Sequence, residues 1–177
     1  RRTLSGLSCF SEIPDKFNFI DVIQPQLFQI SEELEEQDVF VMLGVDDGTY
    51  EEKTMFLEEL LLVIWEDFLE YDVKLLLTAD EYKSLQKIIG DEQILQLKNK
   101  EANQKLVVNY LTEHIPDIGD IFREKTLELK ADMFFERVKG LQEYFAKNQT
   151  SLAKVDEALS LAKKDEWNSA AKILNEL

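Results

Sequence analysis

The most regular pattern of the chain lies between Thr49 and Asp72. Apolar residues fall at Leu57, Leu60, Leu61, Ile64, Trp65 and Phe68, a spacing that keeps them on one face of a 3.6-residue period. Phe56, Leu62, Val63 and Leu69 widen that face, so the spacing predicts a central helix that touches neighbours on two sides. Thr49 with Glu52 makes a capping box, in which each side chain satisfies an amide at the helix start. Thr78 with Glu81 makes a second box. It opens a helix lined by Tyr82, Leu85, Ile88 and Ile89 and stopped by Gly90. A third helix is expected from Asp91 to about His114, with the polar stretch KNKEANQK as a break or loose turn. Ile115-Pro116-Asp117 ends it, because the residue before a proline avoids helical geometry. From Asp117 to about Lys147, Ile118, Ile121, Phe122, Leu129, Met133, Phe134, Val138, Leu141 and Phe145 predict one long helix. Gly140 is its weakest point, since glycine costs about 1 kcal/mol relative to alanine inside a helix.

The two ends read differently. Residues 1–30 hold Phe10, Phe17, Phe19 and Phe28 with two of the three prolines, and are expected to form an extended aromatic arm laid over a helical body. In residues 31–43, Ser31 is a candidate cap with acids in the first turn, where the helix dipole favours them. Gly44 suits the end of such a helix. The run Val39 to Leu43 is too short for periodicity to decide between helix and strand. At the C-terminus, Leu152, Val155, Leu159 and Ala162 mark one short helix. Trp167, Ala170, Ala171, Leu174 and Leu177 mark another, with Asp165 as its expected cap. The pair resembles a single tetratricopeptide-type hairpin, and one hairpin is not a repeat array. The expected fold is therefore all-α, an irregular bundle of five to seven helices with the N-terminal arm. Its organisation reads as an arm over 1–30, a helical core over 31–147, and a C-terminal hairpin over 148–177 docked on that core.

Composition narrows the classes. The 177 residues include 36 acids and 20 bases, a net charge of −16, and 45% are hydrophobic. A generally disordered chain lacks that apolar content, and a protein that grips phosphates needs clustered Lys and Arg. One cysteine, Cys9, and one histidine, His114, supply neither an internal disulfide nor the usual zinc ligand sets. The longest apolar run, Leu60 to Trp65, has six residues, far short of the ~18 that span a membrane. The single thiol fits a cytoplasmic location. The chain opens RRTLSGLSCF, without an initiator Met, and is expected to be a processed product or a fragment. Asn148-Gln149-Thr150 fits a glycosylation sequon, a triplet that often arises by chance.

The segments LGVDDGTYEEK, FLEELLLVIWEDFL, LTADEYKSLQKII and LTEHIPDIGDIFREK run from a short turn into an acidic start of an apolar helix. A capped short helix follows, then an "IP-D" step into a helix rich in Glu and Lys. Over residues ~39–137 this order resembles a small, acidic, uncharacterised helical family found mainly in the candidate-phyla bacteria (Patescibacteria). The resemblance implies an all-α fold and no particular chemistry.

No phosphate-cradling glycine motif, HExxH or ExxH occurs. His114 is the only imidazole, and its place at a helix end suits carbonyl capping better than catalysis. VDDGTYEEK has oxygen ligands near Gly48 but not in the EF-hand register. Glu51-Glu52, Glu58-Glu59 and Glu66-Asp67 are neighbours pointing in different directions, which nothing singles out as an acid pair. The expectation is a non-enzyme with no catalytic residue, no cofactor and no metal site. Charge supplies the one positive signal. Residues 31–72 hold fifteen acids and a single base, Lys53, and so carry −14 of the net charge. Two readings follow: a solvated acidic face, or a patch that steers and docks a basic partner. The candidate partner-binding residues are Glu32, Glu33, Glu35, Glu36 and Asp38, with Phe17 and Phe19 of the arm. The expected function is a protein–protein interaction or structural role, with another protein as partner and no direct nucleic-acid binding. The alternative is an acidic mimic of nucleic acid that inhibits a nucleic-acid-binding protein.

Overall fold

The computed structural model describes residues 33–90 and 101–177, with the backbone alone over 101–104. Every regular element among them is helical, so the all-α class read from the sequence holds. After a turn of 3-10 helix at Leu34–Glu36 come α1 (Val39–Leu43) and α2, which begins as Tyr50–Asp67. It passes through a π-helical turn, Phe68–Asp72, and continues as Val73–Leu76. Then follow α3 (Ala79–Ile89), α4 (Glu101–His114), α5 (Ile118–Tyr144), α6 (Gln149–Ala162) and α7 (Trp167–Asn175). The aromatic arm, 1–30, lies outside the described residues.

The chain divides into two compact units. One holds described residues from 56 to 123, the other those of 33–55 and 124–177. In the first unit Trp65 stacks with Phe68 and Phe122, whose own rings are tilted by 49°, with centroids 4.7 to 6.1 Å apart, and Leu61, Ile64, Leu85, Val107 and Leu111 are buried too. Such aromatic clusters add to the area they bury. The π-turn keeps α2 on this core. A plain 3.6-residue period would bring Asp72 inward after Trp65 and Phe68. One extra residue in the turn rotates the helix, so that Val73, wholly buried, takes that position. α4 is tied to α3 by the Tyr110 hydroxyl, which donates to the Glu81 carbonyl at 3.0 Å.

In the second unit Met42, Phe134 and Val138 meet Val155, Ala158, Ala162, Trp167, Ala170, Ala171 and Leu174 in one buried cluster. The alanines of α6 and α7 leave room for the Trp167 ring, which stands edge-on to Phe134 at 5.6 Å.

Several local expectations meet their physical answer here. The run Val39–Leu43 is a helix. Its cap is Asp38, whose carboxylate accepts from the Phe40 amide at 2.8 Å. Both capping boxes form: the Thr49 amide donates to Glu52 and the Thr78 amide to Glu81, each at 2.8 Å. Asp165 does not cap α7. It sits in the left-handed region at φ +62°, and the residue at the cap position is Glu166, without a side-chain cap bond. Asn148, the sequon asparagine, caps α6 by accepting from the Ser151 amide. α5 runs through Gly140 to Tyr144; a Cβ at Gly140 would meet nothing, so this glycine marks neither a close approach nor a stop.

Candidate acidic site and its buried cation

The acidic segment of the second unit folds back on itself before α1. The Glu33 carbonyl accepts from the Glu36 amide at 3.1 Å and from the Gln37 side-chain amide at 3.0 Å. Glu33 is exposed, whereas Glu35, Glu36 and Asp38 are half-buried. Of the residues singled out from the sequence, the structure thus gathers Glu33, Glu35, Glu36 and Asp38 in one short stretch. Glu32, Phe17 and Phe19 lie outside the described residues.

Opposite these acids stands Lys130 of α5, with 0% of its surface exposed. Its Nζ donates to the Glu35 carbonyl at 3.2 Å. Burial pushes the ammonium down to about 7, against the smaller opposing pull of Asp38, Glu35 and Glu36. Seven residues on, Arg137 Nη1 donates to the Met42 carbonyl at 2.6 Å, and burial lowers its pKa as well. Asn175 of α7 donates to the Val41 carbonyl at 3.0 Å. These two side chains satisfy the last carbonyls of α1, which a helix end leaves without intrahelical partners.

Sequence reasoning missed Lys130, although a signal was present. Phe122, Thr126, Lys130, Phe134 and Val138 follow one another at steps of four, and all are buried. A lysine in that row is set to enter a core. Acids close to it in space but far along the chain are its natural counterpart.

A second acidic surface lies on α2. Glu59, Val63, Asp67, Tyr71 and Leu75 follow at steps of four and all are exposed, Val63 at 52%, Tyr71 at 60% and Leu75 at 85%. Glu58 and Glu70 flank them, also exposed. The Tyr71 phenol titrates above its usual range because the Glu70 carboxylate lies beside it, with Asp67 adding to the effect. His114 is spent on its own helix: Nδ1 donates to the Tyr110 carbonyl at 2.8 Å, and its ring stacks on Tyr110 at 4.0 Å. Among the described residues no group of three or more His, Cys, Asp and Glu side chains is placed to hold a metal ion, and no helix is long and apolar enough to cross a membrane.

No protein-family model, curated protein or solved structure matches the chain.

Proposed function

We propose that this chain is a non-enzymatic interaction protein that binds a basic partner protein in the bacterial cytoplasm. The observation that carries the reading is the outward ridge of α2. Val63 and Tyr71 stand exposed on it among Glu58, Glu59, Asp67 and Glu70, and Leu75 continues it beside the exposed Lys74. An apolar strip with acids along most of its edge offers burial in its middle and orientation at its rim. The complementary surface is an apolar strip edged by Lys and Arg. The segment Glu33–Asp38 makes a weaker docking candidate than its charge suggests, because Lys130 already faces Glu35, Glu36 and Asp38 within the same unit.

The test is co-purification from native extract at low salt, run with wild type and with the quadruple variant E58Q/E59Q/D67N/E70Q. The expected result is a basic protein recovered in fixed proportion with wild type, released by high salt and lost with the variant at unchanged helix content. Recovery of free monomer alone at low salt, or equal recovery by the variant, counts against the proposal.

A further inference from the structure

Building on the basic-partner reading, we propose that the occupant of the α2 strip is an amphipathic α-helix of the partner, lying lengthwise along α2 with lysines and arginines beside its apolar row. The strip runs along α2 rather than around it. Val63 and Leu75 are twelve residues apart, and over that distance a plain α-helix carries the second about 120° away from the first, at 3.6 residues per turn. The π-turn Phe68–Asp72 lies between them. It takes up one extra residue and so removes about 100° of that rotation. Val63, Tyr71 and Leu75 therefore face nearly one way, exposed at 52%, 60% and 85%, over a length of about 18 Å. The turn that seats Val73 in the core also lines up the residues outside it.

A row kept in line with its axis lets two helices touch over several turns, whereas rows that drift around a helix part after a short crossing. A helix also brings no open backbone to the strip, because its amides and carbonyls are bonded to one another. An extended segment laid on the same side chains finds no strand edge there to pair with. Its backbone groups would lose water without gaining partners. The charges set the pattern required of the partner. The same helical rotation puts Glu59, Glu66 and Glu70 on one side of the strip and Asp67 between Val63 and Tyr71. Glu59, Asp67 and Glu70 are exposed and Glu66 is half-buried. Lys74, exposed, ends that side. The partner helix thus carries its bases opposite residues 59–70 and none opposite Lys74. Bases on long stems cover apolar surface as well.

Two synthetic Leu/Lys peptides of identical composition, each of about fourteen residues to match the strip, test this on the full chain. In one the leucines follow the helical period. In the other they alternate with the lysines, so that it is amphipathic only when extended. Calorimetric titration gives the affinities, and backbone amide shifts locate the contact. The helical-period peptide is expected to bind more tightly than its isomer by about tenfold or more, and to shift the amides of Val63, Tyr71 and Leu75. L75S is expected to weaken it by about tenfold at unchanged helix content, since Leu75 is 85% exposed. Equal affinity of the two peptides overturns the helical occupant and leaves the basic-partner reading to stand or fall by co-purification. Absence of binding by the helical-period peptide overturns it as well. So do shifts confined to other helices, or an L75S affinity equal to that of wild type.

Discussion

Gly44 shows how one residue ties distant parts of the chain. It ends α1 at φ +68°, a conformation that costs other residues about 1–2 kcal/mol. A Cβ there would also come within 2.6 Å of Arg137 Nη2 and 3.0 Å of Asn175 Oδ1. Those side chains are the donors to the last carbonyls of α1. G44A is therefore expected to lose stability twice, through backbone strain and through displaced donors, by about 2–3 kcal/mol in all. Urea unfolding measures it, and a midpoint equal to wild type would show that Arg137 and Asn175 move aside at no cost. Gly44 as a helix stop was legible in the sequence, because glycine favours the left-handed end of a helix. Its neighbours were not, because nothing local connects Gly44 to Arg137 or Asn175. The same holds for Lys130. The acids before α1 were visible as a charge block, but the cation that faces them comes from α5, and only the fold brings them together.

At the scale of elements, the helix starts carry the clearest local chemistry. In α3 the Thr78 hydroxyl and amide both donate to the Glu81 carboxylate. These bonds, the hydroxyl first, hold Glu81 below the usual carboxylate range, and His114 adds a smaller pull. A carboxyl whose folded pKa is depressed stabilises the fold above its unfolded pKa, and that contribution fades as pH falls through the folded value. Glu52 behaves likewise against Thr49 at the start of α2. Removing Thr78 by T78A is expected to lower stability near neutral pH and to flatten the loss on acidification. Urea midpoints over a series of acid pH values check both. An unchanged acid limb in T78A would mean that the backbone amide at position 78 holds Glu81 without the hydroxyl. These boxes were legible because both partners lie within one turn of sequence. The π-turn of α2 was not, because it answers a conflict of register: Asp72 occupies the place where the core needs Val73. The α7 cap escaped for a similar reason, since Asp165 serves the tight turn after α6 in a left-handed conformation and leaves the cap position to Glu166.

The whole molecule carries −16, concentrated in residues 31–72, and two kinds stand out among the described acids of that segment. Glu35, Glu36 and Asp38 face the buried Lys130 side chain, an arrangement that salt screens poorly. Those of α2, Glu58, Glu59, Asp67 and Glu70, stand in solvent on one helix. Glu66 and Glu70 lie four residues apart, a like-charge spacing that costs about 0.2–0.5 kcal/mol per pair. Solvated repulsion of that kind is relieved by ions within a Debye length of roughly 10 Å at 0.1 M. Sodium chloride is therefore expected to raise the thermal midpoint of wild type. The variant E58Q/E59Q/E66Q/E70Q should start higher at low salt and gain less from added salt. Sodium chloride is the right salt for this measurement, because sulfate would also strengthen burial by exclusion from the surface. A midpoint that falls with salt would mean that attraction outweighs repulsion across the surface, so that the α2 acids are already matched within the chain. They would then have little charge left to offer a basic partner. A rise confined to wild type leaves the Glu58, Glu59, Glu66 and Glu70 carboxylates unmatched in the free protein, and a partner bearing Lys and Arg would gain stability by relieving the same repulsion that salt relieves.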